Sequence, residues 1–290
     1  MNDDPFKPQP PERSRPAAKT PECAAAVPEK KLGAWQPFTP QGVAAFAHSP
    51  SARVLALKTM VALLATVIVV WFLRANYFPA ISEAVTHLPD GALLENGVLT
   101  NVVSGNLAQR KFLSAVVDLG EFREAGQTTD LQIELHRDYF QICSLLGCGM
   151  FEYPREKIPL GRSKVEPWWD ARRPVILALA GVIVFVALWL AWNAFALLFA
   201  PIVKLIAYFA ERDLSWSGSW RLACAGQMLG ALLMCLTVLF YGIQVFDLIR
   251  FLFFFAAHFL VAWTYVFAAP FFLPRNPIAV DAAQNPFETN

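Results

Sequence analysis

The stretch from Pro174 to Ala200 carries no charged side chain and reads PVILALAGVIVFVALWLAWNAFALLFA. At 1.5 Å per residue such a helix is about 40 Å long, enough to cross a hydrocarbon core of roughly 30 Å with tilt to spare. It holds roughly fifteen Leu, Ile, Val and Phe residues, each contributing about −0.3 to −0.6 kcal/mol to insertion near a helix centre, so the sum favours the bilayer by several kcal/mol. Asn193 alone does not offset that. A helix buried in a water-soluble core would need apolar protein on every side. Three more stretches of the chain follow the same rule. The expected fold class is therefore an α-helical polytopic membrane protein with four transmembrane helices. With 16% charged residues, the chain falls well below the roughly 25% of ordinary soluble domains. A net charge of +1 gives no electrostatic case for nucleic acid.

Residues 1–42 repeat proline through Lys, Arg, Glu and Ala with scarcely any apolar periodicity, so a disordered cytoplasmic tail is expected. The first apolar run begins after residue 53, too late for a signal peptide. Residues 43–78 read as an interfacial apolar patch (Val43 to Ala47), a stop at Ser49-Pro50, and a first span capped by Ser51. Lys58 and Arg74 bracket that span, and their long side chains are expected to snorkel towards the two interfaces.

Across residues 79–173 the pattern changes to short alternating runs, which predict a small antiparallel β domain inserted between spans one and two. Asn96-Gly97 between Leu93-Leu94 and Val98-Leu99 is a hairpin signal, because both central residues of a type I′ turn need positive φ. Phe112 to Asp118, Tyr139 to Leu146 and Met150 to Tyr153 read as strands. So does Leu131 to His136, where Leu131, Ile133 and Leu135 alternate with Gln132, Glu134 and His136 as if one face were wet. Spans two to four are expected within 174–273, with 274–290 a loose cytoplasmic tail. A cytoplasmic N-terminus places Arg53, Lys58, Lys204, Arg212, Arg221 and Arg275 inside and leaves Arg250 alone in the short outer loop. That orientation puts both termini inside and the β domain outside, as in a multi-pass protein of a cell inner membrane.

Few residues in this pattern point to chemistry. Cys143 and Cys148, in Cys-Ser-Leu-Leu-Gly-Cys, fall in the outer domain, where an oxidising compartment permits a disulfide. A staple of the β domain, a redox pair and free thiols are the alternatives. Cys224 and Cys235 lie inside the third span and read as small apolar residues. Gly226 and Gly230 form a small-xxx-small seam, used either within the bundle or in a homodimer through helix 3. Asn193, Gln227 and His258 are polar groups within the spans; His258 is ionisable but no span carries a carboxylate to pair with it. Asp247 and Arg250 are spaced to pair at the membrane surface. The scattered histidines give no metal site, and no phosphate loop, nucleophile elbow or metalloprotease motif occurs. No cofactor and no catalytic residue are expected.

The layout resembles the DUF1189 family of bacterial membrane proteins. The likeness is carried by Ser49-Pro50 before the first span, Leu88-Pro-Asp-Gly and Glu95-Asn-Gly after it, and Ala115-Val-Val-Asp-Leu-Gly leading to Leu131–Ile142. The helices that follow resemble that family's Yip1-like bundle, and the likeness covers most of residues 43–270. Members often carry proline in the helix where this chain has Gly226-Gln-Met-Leu-Gly230. The resemblance implies location and architecture, and offers no catalytic residue to carry over. The function expected is a non-enzymatic envelope protein whose outer β domain binds a protein partner or ligand. The alternatives are a component of a transport assembly and a thiol oxidoreductase using Cys143 and Cys148.

Overall fold

The computed structural model describes residues 37–120 and 129–276. Four of its helices are long and apolar enough to cross a membrane: Ser51–Thr86, Arg162–Phe209, Trp216–Gly242 and Leu248–Phe272. In chain order the first helical elements are α1 (Pro40–Ala45), α2 (Ser51–Phe72), a π turn (Leu73–Tyr77) and α3 (Phe78–Thr86). The two sheets follow, and then α4 (Arg162–Phe209), α5 (Trp216–Gly242) and α6 (Leu248–Ala268). The central helix is α5, which packs against α2, α4 and α6. In its most apolar window 61% of residues are buried, while the corresponding window of α4 has none buried. The outer face of α4 is thus a continuous apolar surface, with Val175, Leu179, Val182, Ile183 and Leu190 all exposed.

Helix α4 is a single element of 48 residues with Pro167, Pro174 and Pro201 inside it. The expected start of the second span is Pro174, but a membrane helix tolerates proline where neighbouring groups take up the freed carbonyls. The sheets therefore occupy less than the expected 79–173, because α3 and the start of α4 rise out of the bundle as helix. The two extensions pack side by side: Phe78 meets the Trp169 ring edge-on with centroids 5.2 Å apart. The Trp169 indole donates to Ser82 Oγ at 2.9 Å. Ala84 and Leu88 then pack under Leu107, Ala108 and Ala115 of the larger sheet.

The sheet elements are β1 (Leu93–Glu95), β2 (Val98–Thr100), β3 (Gly105–Gln109), β4 (Leu113–Val117), β5 (Leu131–Leu135), β6 (Tyr139–Ser144), β7 (Gly147–Glu152) and β8 (Ile158–Pro159). They form a three-stranded sheet in the order β2-β1-β8 and a five-stranded sheet in the order β3-β4-β5-β6-β7. The Asn96-Gly97 hairpin forms as expected, with φ of 54° and 79°. The larger sheet departs from the expected antiparallel topology, since β4 and β5 run parallel in the register Leu113↔Leu131 to Val117↔Leu135. The chain must cross over between those strands, and no local turn signal announces such a crossover.

Strand β5 also differs from its expected facing. Gln132 is 2% exposed while Leu131, Ile133 and Leu135 are only half-buried. The polar residues bond one another instead of water: Ser114 Oγ donates to Gln132 Oε1 at 3.3 Å, and Gln132 Nε2 donates to Glu134 Oε1 at 2.7 Å. Alternation fixed that the strand has two unlike faces, not which of them is covered.

At the opposite end of the bundle, the expected interfacial patch is a plug. Val43, Phe46 and Ala47 join one core with Val54, Leu222, Ala223, Val266 and Ala269. The Arg221 guanidinium donates twice to the Ala47 carbonyl, at 3.1 and 2.7 Å. The patch has an apolar face matched to the ends of α5 and α6, so protein covers it. The cap of α2 is Pro50 and not Ser51, which is already the first helical residue. Helix α1 begins at Pro40 under a Thr39 cap, inside the segment expected to be disordered. Residues 1–36 of that expected tail and 277–290 of the other lie outside the described residues.

Candidate functional site

The two ends of the bundle are joined by one buried seam and differ in what they carry. Gly226 and Gly230 face α6: a Cβ on Gly226 would lie 2.7 Å from Val266 Cγ2, and one on Gly230 would lie 2.6 Å from the His258 carbonyl oxygen. The small residues are thus taken up by the fourth long helix of the same chain. His258 sits in this seam, where its Nδ1 donates to the Phe255 carbonyl of its own helix. Asn193 Nδ2 donates to Trp189 O at 2.7 Å, and Gln227 Nε2 to Ala223 O at 3.1 Å. Each of these polar side chains finds an acceptor one turn back, which satisfies its donor without a second helix.

Lys58 does not follow this pattern. It is 3% exposed, and its Nζ has no hydrogen-bond partner among the described residues. Arg212 Nε shares that state, but its guanidinium still donates to Leu273 O at 2.7 Å. Lys58 points into the bundle and does not snorkel to an interface. It borders a small cavity with Trp192, Cys224, Gln227 and Met228, with space of about 10 Å³, the size of one water. Helical phase explains the placement. The buried residues of α2 are Val54, Lys58, Ala62 and Ala65, spaced four, four and three apart on one face. The small alanines on that face were the available signal, because a close-packing stripe on a membrane helix faces protein and not lipid.

The β end of the bundle carries the junction with the sheets. Tyr241, in the last turn of α5, donates its hydroxyl to Asp130 Oδ2 at 2.6 Å. Around it, Phe72, Phe112 and Phe251 pack with centroids 5.5, 4.8 and 4.5 Å from the Tyr241 ring. The starts of β4 and β5 are thereby held against α2, α5 and α6 by an aromatic cluster around one charge-assisted hydrogen bond. Asp247 caps α6 by accepting from Arg250 N at 2.7 Å, and its carboxylate lies 3.6 Å from Arg250 Nε, as their spacing implied.

Within the sheet the polar chain runs from Thr129 through Ser114, Gln132 and Glu134 to His136. Its ends do not meet. Ser114 lies opposite Gln132, and His136 stands four residues further along the strand, about 13 Å away. The histidine therefore stands out of reach of that hydroxyl, and the chain reads as a satisfied structural network. Burial pushes the Tyr153 phenol up to about 12, so it stays a donor to the His136 carbonyl at neutral pH. Cys143 and Cys148 face each other in the β6–β7 register and their sulfurs are bonded. No group of residues that would hold a metal ion occurs among the described residues.

No protein-family model matches the chain, and neither a curated protein nor a solved structure does.

Proposed function

We propose that the chain is a non-enzymatic integral protein of a bacterial inner membrane whose extracytoplasmic β domain binds a partner protein through the free edge of β7. The observation that carries this reading is the edge itself. Strand β7 ends the five-stranded sheet, and every residue from Gly147 to Glu152 is exposed, including Met150 and Phe151. An uncovered apolar edge offers unpaired backbone groups to a further strand, a recurrent mode of peptide capture, and natural proteins usually blunt such edges. The fully exposed apolar face of α4 supports the membrane. The disulfide and the cluster of Arg and Lys at the other end support an extracytoplasmic sheet with both termini cytoplasmic. The junction at Tyr241 and Asp130 gives such a domain a firm hold on the spans, as an accessory or sensor role requires.

A photo-crosslinking side chain placed at Met150 in cells is expected to give a protein adduct of one mass, with none from the same side chain at Asp138 on the far turn. Absence of an adduct at Met150 under all growth conditions rejects the edge. An adduct with a second copy of this chain replaces partner capture by self-association. For the orientation, a reporter active only outside the cytoplasm is expected to be active when fused after Arg155 and silent after Asp213; the reverse pattern turns the protein over.

A second reading, a component of a transport assembly, draws on Lys58. Ionisable groups buried in membrane bundles mark solute or proton paths more often than chance.

A further inference from the structure

The turn between β6 and β7 is Ser144-Leu145-Leu146-Gly147, with Ser144 and Gly147 as the last paired residues. Turn positions ordinarily take Gly, Asn, Asp or Ser, each for a backbone reason. Here Gly147 meets such a need with its φ of 120°, and Ser144 with its side-chain bond to the turn backbone. Nothing in the turn's geometry calls for leucine, yet Leu146 is 91% exposed and Leu145 54%. Two exposed leucines at a hairpin tip are costly in water unless something apolar covers them.

The register says where that point is. Leu131 pairs with Ser144, so the β6–β7 turn lies at the same end of the sheet as the start of β5. That end is fixed to the bundle: Asp130, one residue before β5, accepts from Tyr241 in the last turn of α5. Leu145 accordingly shares a cleft with Leu248 and Ile249, the first residues of α6. Ile249 is 71% exposed and begins the outward face of that helix, which continues through Phe253. Lys111, Asp130 and Asp247 are the charged groups that line the same cleft, with Asp130 engaged by the Tyr241 hydroxyl and Asp247 capping α6. The Ser144 hydroxyl closes two of the turn's polar contacts. Leu146 N donates to Ser144 Oγ at 3.3 Å, and Ser144 Oγ donates to Gly147 O at 3.4 Å. Immediately behind it the Cys143–Cys148 bridge holds the two strands together.

From these placements we infer that Leu145 and Leu146 form a wedge that enters the outer leaflet of the protein's own bilayer beside the head of α6. The inference rests on the membrane reading above. At headgroup level a hairpin tip still has water for the backbone groups it does not bond itself, and a lysine beside it suits lipid phosphate. The disulfide then has a purpose beyond stapling a sheet: it keeps the pair of strands from splaying where one end meets lipid. The sheet is fixed to the membrane at two points, the Tyr241 junction and the tip, while Met150 and Phe151 stand further up the open edge.

The test places a fluorescent noncanonical side chain at Leu146, Val182 or Asp138 of the full chain, reconstituted in phosphatidylethanolamine and phosphatidylglycerol vesicles. Lipids carry nitroxide quenchers either near the headgroup or deep in the acyl chain. Val182 lies on the exposed face of α4 and should be quenched by the deep label, whereas Asp138, on the far turn of the sheet, should not be quenched by either. The inference expects the shallow label to remove at least half of the emission at Leu146. Quenching at Val182 without quenching at Leu146 overturns the wedge and leaves the membrane reading intact. No quenching at Val182 overturns both. Equal quenching at Leu146 and Asp138 overturns the tip as the point of contact, since the whole sheet would then lie on the lipid.

Discussion

Gly230→Ala is expected to cost about 3 kcal/mol, the upper end of what overpacking a tight site costs. The added Cβ would lie 2.6 Å from the His258 carbonyl oxygen and 2.8 Å from Ala262 Cβ. The first of these neighbours is backbone and cannot rotate away, so α5 and α6 must move apart. The same helices meet again at Gly226, where a Cβ would lie 3.1 Å from the backbone of Val266, so separation at one position loosens the other. In a membrane, close packing is a main source of helix association, and a separation of even half an ångström forfeits much of it. Gly105→Ala is the control, because a Cβ there meets nothing within 4 Å. Reversible denaturation in mixed detergent–SDS micelles reads the difference. A Gly230→Ala variant as stable as the Gly105→Ala variant would mean that the seam between α5 and α6 is looser than its geometry.

Legibility varied with how local the cause was. The Asn96-Gly97 turn was readable because two adjacent residues dictate it, and both adopt the positive φ that the dipeptide implies. The four apolar helices were readable because insertion sums over many residues. Their ends were not. Pro174 looks like a boundary in sequence, but it sits inside one continuous helix from Arg162 to Phe209. The parallel pairing of β4 with β5 is a long-range choice that no short pattern encodes. The inversion of β5 has in part the same origin: Gln132 is inside with bonds to Glu134 on its own strand and to Ser114, which the parallel pairing brings over from β4. Gly226 and Gly230 lie against α6, and Cys143 is bonded to Cys148. His258, Asn193 and Gln227 turned to their own helix. The junction at Tyr241 and Asp130 had no signal at all, since the two lie 111 positions apart.

Lys58→Met is expected to stabilise the bundle by roughly 1–4 kcal/mol, the range found when buried charges give way to apolar side chains of similar volume. The lysine is 3% exposed with no partner for its Nζ among the described residues, so the folded chain gives up hydration there and gains no bond. Of its neighbours, Cys224, Met228 and Trp192 would accept a thioether, whose flexibility suits an irregular gap, and Gln227, the polar one, already donates to Ala223 O. Lys58→Gln separates charge from polarity: it keeps a group that needs hydrogen bonds and should gain less than methionine does. Stability in detergent at low and high salt gives the readout, since a solvated lysine would respond to screening and a sealed one would not. If Met is instead destabilising, the ammonium has a counter-charge in the assembled protein, from a partner helix or a bound anion, and the transport reading gains weight. If the Met variant is the more stable, the next measurement is whether Met150 still gives its photo-adduct in cells, the readout that follows the proposed partner binding.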